Sequence, residues 1–461
     1  MPSTATTGRR DLAFAGVARQ AALVRAGEVS PRELVESALQ RISRLDCELN
    51  AFRIVFDERA LLEADQAGGR ARGGDGRPLL GVPIAVKDDM AVAGTPRVRG
   101  SNAHGPPEPE DCELVRILRA AGAIVIGVTR TPELMLWPFT ETAHGGSTHN
   151  PWNLERTPGG SSGGSASAVA AALVPAATGS DGAGSIRVPA ACCGLYGLKV
   201  QRGRVPTAPL RDVFTGLSVY GFLARTVADT ALLYEVATGE PWVAAARREP
   251  GKLRVALSTK IPPGATARLD REQRGAAVDT AELLRSLGHE VVERDPGYGL
   301  IGRNVITRYL SGASIEASTV ADRSKLERRT RQMARMGTAA SKLLRRAIAA
   351  QESDARRINA IFDDVDVVLT PTLTAAPWNV GRYEGCGATR TFNAAAGFVA
   401  FNPLWNHIGN PAAAVPAGLD STGLPLSVQI AGAPGSEPML LALSQQLETA
   451  RPWAEARPPV S

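Results

Sequence analysis

Histidine is scarce in this chain of 461 residues. The five that exist, His104, His144, His149, His289 and His407, are scattered without pattern. The usual base for a serine nucleophile is therefore not marked, and no spacing reads as a metal site. Cysteine is as sparse: Cys47, Cys112, Cys192, Cys193 and Cys386 are an odd number without C-x-x-C spacing. That pattern argues against a disulfide framework and for reduced thiols in a cytoplasmic protein. The adjacent Cys192 and Cys193 sit among small residues and read as packing. Aromatic residues are only 5% of the chain. The net charge of +6 comes largely from the Arg-rich stretch 323–357, which acids interrupt and no aromatic stacking set accompanies. It reads as a solvated helix face, so no nucleic-acid partner is expected. The longest apolar run, Ala168–Ala177, is broken by Pro175 and is far too short to span a membrane. The first residues, MPSTATTGRRDLAFAG, hold no apolar core of signal-peptide length. The phosphate-loop pattern G-x-x-x-x-G-K-[ST] is absent throughout.

Glycine, by contrast, is abundant, with 47 residues, and it is concentrated where it counts. Between Thr157 and Lys199 stand two Gly/Ser-rich turns, Gly159–Ser165 and Gly179–Ser185, separated by the Ala-rich segment Ala166–Ala177. Glycines expose backbone N–H groups that no Cβ obstructs, and successive N–H groups make a concavity for negative charge. Serines in such turns point to a nucleophile with its supporting donors.

Two serine readings compete. Gly159-Gly160-Ser161-Ser162-Gly163 matches the G-x-S-x-G elbow of α/β-hydrolases, but the text before it, NPWNLERTP, is not a strand. In the second turn Ser185 follows Gly182, Ala183 and Gly184. The N–H groups of residues 182–185 could hold an acyl oxyanion, or the turn could be a plain glycine turn. The base such a serine needs can be a lysine if burial keeps it neutral. Lys87 ends the apolar run LLGVPIAVK instead of sitting on a charged helix. A surface lysine at a strand end is the competing reading.

The rest of the chain alternates strand and helix. Ser30-Pro31-Arg32-Glu33 is a capping box that starts a helix over residues 31–45. Strands are expected at 79–87, 123–128, 253–257, 290–293, 366–369 and 426–431, and helices at 58–72, 111–121, 225–238, 270–287 and 438–449. Residues 129–156 read as irregular. The length prior allows about three domains, yet no repeat or linker divides the text. A single α/β domain over 1–461 is expected, its core at 79–199 and the polar helices of 303–360 forming a cap or insertion.

The text GVPIAVKD, then PGGSSGGSASAVAAALVP, then GSDGAGSIRVPAACCGLYGLK resembles the amidase signature family. Weaker family-like text follows in DVVLTPT, GNPAAAVPAG and GLPLSVQIAG. The resemblance implies a large mixed central sheet covered by helices on both faces. It also implies a Ser–cis-Ser–Lys triad, with Ser185 as nucleophile, Ser161 after a cis peptide from Gly160 as proton relay, and Lys87 as base. The oxyanion hole would use the N–H groups of Gly182, Ala183, Gly184 and Ser185. Ser162, Asp181 and Arg187 match positions that support the turns. Met135, Leu136 and Trp137 fall in the segment that lines the acyl pocket in the family. The family commonly shows Thr-Asp-x-Gly-Gly-Ser where this chain has Ser180 and Ala183. Ala183 is tolerable only if its φ is not positive. The implied activity is cleavage of an aryl or alkyl amide through a seryl acyl-enzyme, with esterase and carbamate-cleaving activity as extensions. No cofactor or metal is required, and the partner is a small-molecule amide, ester or carbamate, with a homodimer left open. The alternatives are the glutaminase subunit of a tRNA-dependent amidotransferase and a non-catalytic binding relative.

Overall fold

A computed structural model describes residues 12–461. Its thirteen strands are β1 (Phe52–Val55), β2 (Pro83–Lys87), β3 (Ile124–Thr129), β4 (Glu141–Thr142), β5 (Gly146–Ser147), β6 (Ala176–Asp181), β7 (Gly197–Lys199), β8 (Val219–Ala224), β9 (Arg254–Leu257), β10 (Glu290–Glu293), β11 (Val367–Pro371), β12 (Ala412–Leu419) and β13 (Pro425–Gly432). Five strands form one ladder in the order β1-β3-β2-β6-β8, and six form another in the order β10-β9-β11-β13-β12-β7. The pair β4-β5 is a separate small ribbon. The two ladders meet at an antiparallel bridge between Tyr196, beside β7, and Ala224, the last residue of β8. Parallel pairs (β2 with β3 and β6) and antiparallel pairs (β6 with β8, β12 with β13) coexist. The arrangement is therefore the mixed α/β sheet that the sequence suggests.

Helices cover both faces because the central strands are apolar on both faces. Along β2, Ile84 and Val86 pack with one core cluster and Ala85 with the other. Along β3, Val125 and Val128 face the first cluster while Ile124 and Ile126 face the second. The first cluster takes up helices Val227–Thr238, Arg271–Ser286 and Glu437–Ala450, and the second takes up Pro31–Leu49 and Asp57–Arg72. The capping box is present: Ser30 Oγ accepts from the Glu33 N–H, and Glu33 accepts from the Ser30 N–H.

The Ala-rich segment between the glycine turns holds more structure than its composition signals. Gly163–Ala170 is a helix, and Ala176–Asp181 is β6, the strand beside β2. Small side chains permit this close approach; an added Cβ on Gly164 would meet the Arg130 and Ala51 backbone at 2.6 Å. The expected long polar helices appear as Ile301–Ser318, Arg328–Ala340 and Leu344–Asn359.

Candidate active site

The strand β2 delivers Lys87 into a site with no solvent contact; the residue is 0% exposed. Its N–H donates to Thr178 Oγ1 of the neighbouring β6 at 2.9 Å, which fixes the backbone where the side chain departs. The Lys87 Nζ lies 2.9 Å from Ser161 Oγ and 2.6 Å from Ser180 Oγ. Burial pushes the ammonium below its ordinary value, while the nearby carboxylates of Asp89, Asp181 and Asp88 push it back up.

Ser161 follows a cis peptide from Gly160, as the resemblance implies. Gly160 has no room for a side chain: an added Cβ would meet the Trp137 carbonyl at 2.5 Å. Ser162 ties the two glycine turns together. Its N–H donates to the Ser185 carbonyl at 3.3 Å, and its hydroxyl exchanges hydrogen bonds with the Ser180 backbone at 3.4 Å.

Ser185 is half-buried and lines a pocket with about 870 Å³ of open space. Among the described residues its hydroxyl makes no hydrogen bond, so the link from Ser161 to Ser185 is not closed in the free enzyme. Catalytic hydrogen bonds commonly tighten only when substrate is bound.

Asp181 organises the turn that carries Ser185. Its carboxylate accepts from the N–H groups of Gly184 at 2.7 Å, Ile186 at 3.2 Å and Arg187 at 3.4 Å. Burial alone would raise this acid, but the Arg187 guanidinium overrides burial and holds it well below the usual carboxylate range. Arg187 in turn reaches Asn406 Oδ1 at 2.7 Å and Gln429 Oε1 at 2.6 Å, and Asn406 donates to the Asp181 carbonyl at 2.7 Å.

These contacts bear on the four N–H groups expected for the oxyanion hole, those of Gly182, Ala183, Gly184 and Ser185. The Gly184 N–H is already held by Asp181, and Gly182 is not among the pocket-lining residues. The N–H groups free at the pocket are those of Ala183 and Ser185, which have no acceptor among the described residues. Ala183 lies outside the left-handed region, while Gly184 has φ +120°, so glycine stands where glycine is required.

Met135, Leu136 and Trp137 line the pocket as expected. Leu134 and Met135 adopt φ of +51° and +57°, an uncommon conformation for such side chains, and this shapes the wall. Ile301, Val305, Ile306, Tyr309, Phe392 and Val399 also line the pocket. Among the described residues that line it there is no Asp, Glu, Lys, Arg or His. Tyr309 turns its hydroxyl away to the Leu136 carbonyl at 2.7 Å.

Several of these residues are not marked in the sequence. Asp89 follows the lysine but carries no sequence signal of contact with it, yet it lies 3.4 Å from Lys87 Nζ. Asn402 and Asn406 come from a segment without motif. Gln429 and Ser427 are the polar residues in the mainly apolar strand text PLSVQIAG, which is the one sign the sequence offers for Gln429.

The Amidase family model matches residues 33–441. The chain belongs to the amidase signature family. A Mycobacterium tuberculosis protein named as an amidase, AmiB2, is 49% identical over 458 residues, covering 98% of this chain and 99% of that protein. The solved structure of 6-aminohexanoate cyclic dimer hydrolase complexed with substrate superposes with a TM-score of 0.88 at 31% identity, covering 97% of this chain and 99% of that one. A bacterial aryl acylamidase of the same family superposes with a TM-score of 0.85 at 26% identity, covering 95% and 97%. As a member of this family the chain is a hydrolase acting on amide C–N bonds. No described helix is long and apolar enough to cross a membrane.

Proposed function

We propose that the chain hydrolyses neutral amides with an apolar acyl or aryl portion through an ester on Ser185. The observation that carries this reading is the pairing of Lys87 Nζ with Ser161 Oγ at 2.9 Å behind a pocket that Ser185 lines and that no described acidic or basic side chain lines. Ser185 Oγ attacks the carbonyl carbon. Its proton passes through Ser161 to Lys87, and the oxyanion takes the N–H groups of Ala183 and Ser185. Lys87 returns the proton through Ser161 to the leaving nitrogen as the C–N bond breaks. Water then repeats the cycle on the ester and frees the acid.

A charged acyl chain would lose its hydration against these walls without a counter-charge, which costs far more than the pocket contacts return. That disfavours glutamine, the substrate of an amidotransferase glutaminase. Anilides, alkyl amides and uncharged cyclic amides fit, and the similarity to an aryl acylamidase and to a cyclic-amide hydrolase supports the same range. Nitrophenyl esters and aryl carbamates offer the same carbonyl with an easier leaving group.

The test is a panel of anilide, alkyl amide, cyclic diamide, ester, carbamate and glutamine, assayed with the purified protein alone. The anilide or an uncharged amide should exceed glutamine by about 10²-fold or more in kcat/KM. Ser185→Ala should abolish turnover and labelling by a fluorophosphonate. Preference for glutamine, or activity only with added subunits, would establish the amidotransferase alternative instead.

A further inference from the structure

Lys87 Nζ has three neighbours, and they are not equivalent. Ser161 Oγ lies at 2.9 Å, Ser180 Oγ at 2.6 Å and Asp89 Oδ2 at 3.4 Å. Ser180 in turn donates its hydroxyl proton to Asp89 Oδ2. All four residues are buried. These contacts fit a neutral Lys87 whose lone pair faces Ser161. A carboxylate is an acceptor only, and a hydroxyl has a single proton. Once Ser180 gives that proton to Asp89, its oxygen must accept from Lys87. A neutral lysine carries two N–H bonds and one lone pair in tetrahedral directions. With one N–H donated to Ser180 and the other drawn by the Asp89 carboxylate at 3.4 Å, the remaining direction is the one that faces Ser161. That is where the lone pair must point for Lys87 to take a proton from Ser161.

We infer that Asp89, acting through Ser180, is a positioning residue for the base: it fixes the lone pair of Lys87 on Ser161. Without the carboxylate, the Ser180 hydroxyl is free to donate to that same lone pair and competes with Ser161 for it. This inference rests on Lys87 being the base.

The second consequence is electrostatic. A negative charge 3.4 Å from Nζ favours the ammonium and delays the appearance of the neutral base as pH rises. Removing that charge lets Lys87 lose its proton at lower pH. The other groups in reach stay in place. Asp88 from the end of the same strand and Asp181 from β6 act on Lys87, with Arg53 beside Asp88 at 3.1 Å. Around Asp89 stand Arg97, Cys112, Tyr220 of β8 and Glu316 of helix Ile301–Ser318. A difference between wild type and a variant at position 89 therefore isolates this one charge.

The probe is a fluorophosphonate, whose labelling rate reads nucleophile activation without a known substrate. The Ser185 Oγ–P bond forms, fluoride leaves, and the hydroxyl proton goes through Ser161 to Lys87. Labelling rates are measured from about pH 5 to about pH 10, a range spanning a lysine held below its ordinary value. In Asp89→Leu the plateau should fall by roughly 10²-fold from lost orientation, and the rising limb should move to lower pH by about one to three pH units. Ser180→Ala keeps the carboxylate, so its plateau should fall without a downward move of the limb. Ser180→Thr, which restores the hydroxyl, should recover the plateau. If Asp89→Leu does not fold, as judged by its melting transition, Asp89→Asn tests the charge alone by the position of the limb. A rising limb identical to wild type in the position-89 variant, or a wild-type plateau in Ser180→Ala, overturns the inference. So does a uniform loss at every pH, which marks Asp89 as structural. Lys87→Ala separates the two levels of argument: activity surviving in it refutes the base assignment itself, while a dead Lys87→Ala with no shift at position 89 refutes only the positioning role.

Discussion

The carboxylate of Asp181 and the guanidinium of Arg187 meet at 2.9 Å with both side chains wholly buried. They are six residues apart and enclose the turn that presents Ser185. The pair is tied by further hydrogen bonds to Asn402, Asn406 and Gln429, so every charge in it has partners.

Arg187→Leu should therefore leave a buried, unpaired carboxylate. A cost of about 3–5 kcal/mol is expected for breaking one side of such a pair, read as a lower urea midpoint. The pH dependence has a definite sign. The folded-state value of Asp181 is depressed, so its contribution to stability is complete above the unfolded value of ~3.9 and is lost only as pH falls below it. Unchanged stability in Arg187→Leu at neutral pH would mean that the turn is held by its hydrogen bonds alone.

The relay residue should be separable from the nucleophile by choice of leaving group. Ser161→Ala removes the group that carries the proton back to the departing nitrogen. A nitrophenyl ester leaves as a stable anion and does not need that proton. The amide should lose about 10²–10⁴-fold, and the ester distinctly less. Equal losses, measured with acylation limiting for both, would mean that Ser161 only supports Ser185.

Two neighbouring small residues in the turn should respond to very different degrees. An added Cβ at Gly184 would meet Asn402 Cβ and Val188 Cγ2, each at 2.9 Å, on a backbone at φ +120°. Gly184→Ala should lose stability by about 1–3 kcal/mol and displace the nucleophile. Ala183→Gly asks for no new conformation and should cost only about 0.5–1 kcal/mol through the unfolded chain. Activity assays and denaturant melts on both variants test this. Full activity in Gly184→Ala would show that the turn adapts.

Lys199, at the end of β7, is buried with its Nζ hydrogen-bonded to the Val200 carbonyl at 2.9 Å. Burial, and then the Arg187 charge, push it down to about 7. A folded value below the unfolded one penalises the fold while the group is protonated. The penalty is complete below about pH 7 and disappears as pH rises toward the unfolded value of ~10.4. Lys199→Met should therefore be more stable than wild type at pH 6, with the advantage shrinking toward pH 10. A pH-independent difference in melting temperature would mean that Lys199 holds its proton equally in the folded and unfolded chain.

What was legible in the sequence was what local chemistry encodes. The capping box started the helix at Pro31 because its hydrogen bonds span three residues. The strands β2 and β3 announced themselves as short apolar runs because both of their faces are covered. The glycine turns and Lys87 were legible as chemistry because a backbone free of Cβ and a lysine closing an apolar strand both need a reason. The helix Gly163–Ala170 and the strand β6 were not read from the Ala-rich segment, since alanine and glycine carry no strong periodicity and only packing chose between helix and strand. The same limit applied to the site. Which N–H groups remain for an oxyanion was decided by where Asp181 spends its oxygens. The companions of Arg187 come from residues more than two hundred positions away. Part of the pocket lining comes from helix Ile301–Ser318, which falls in text that reads as long, polar helices. A residue's type and its near neighbours determine what it can do, but burial and distance between remote segments determine its protonation and its partners, and those exist only once the chain has folded.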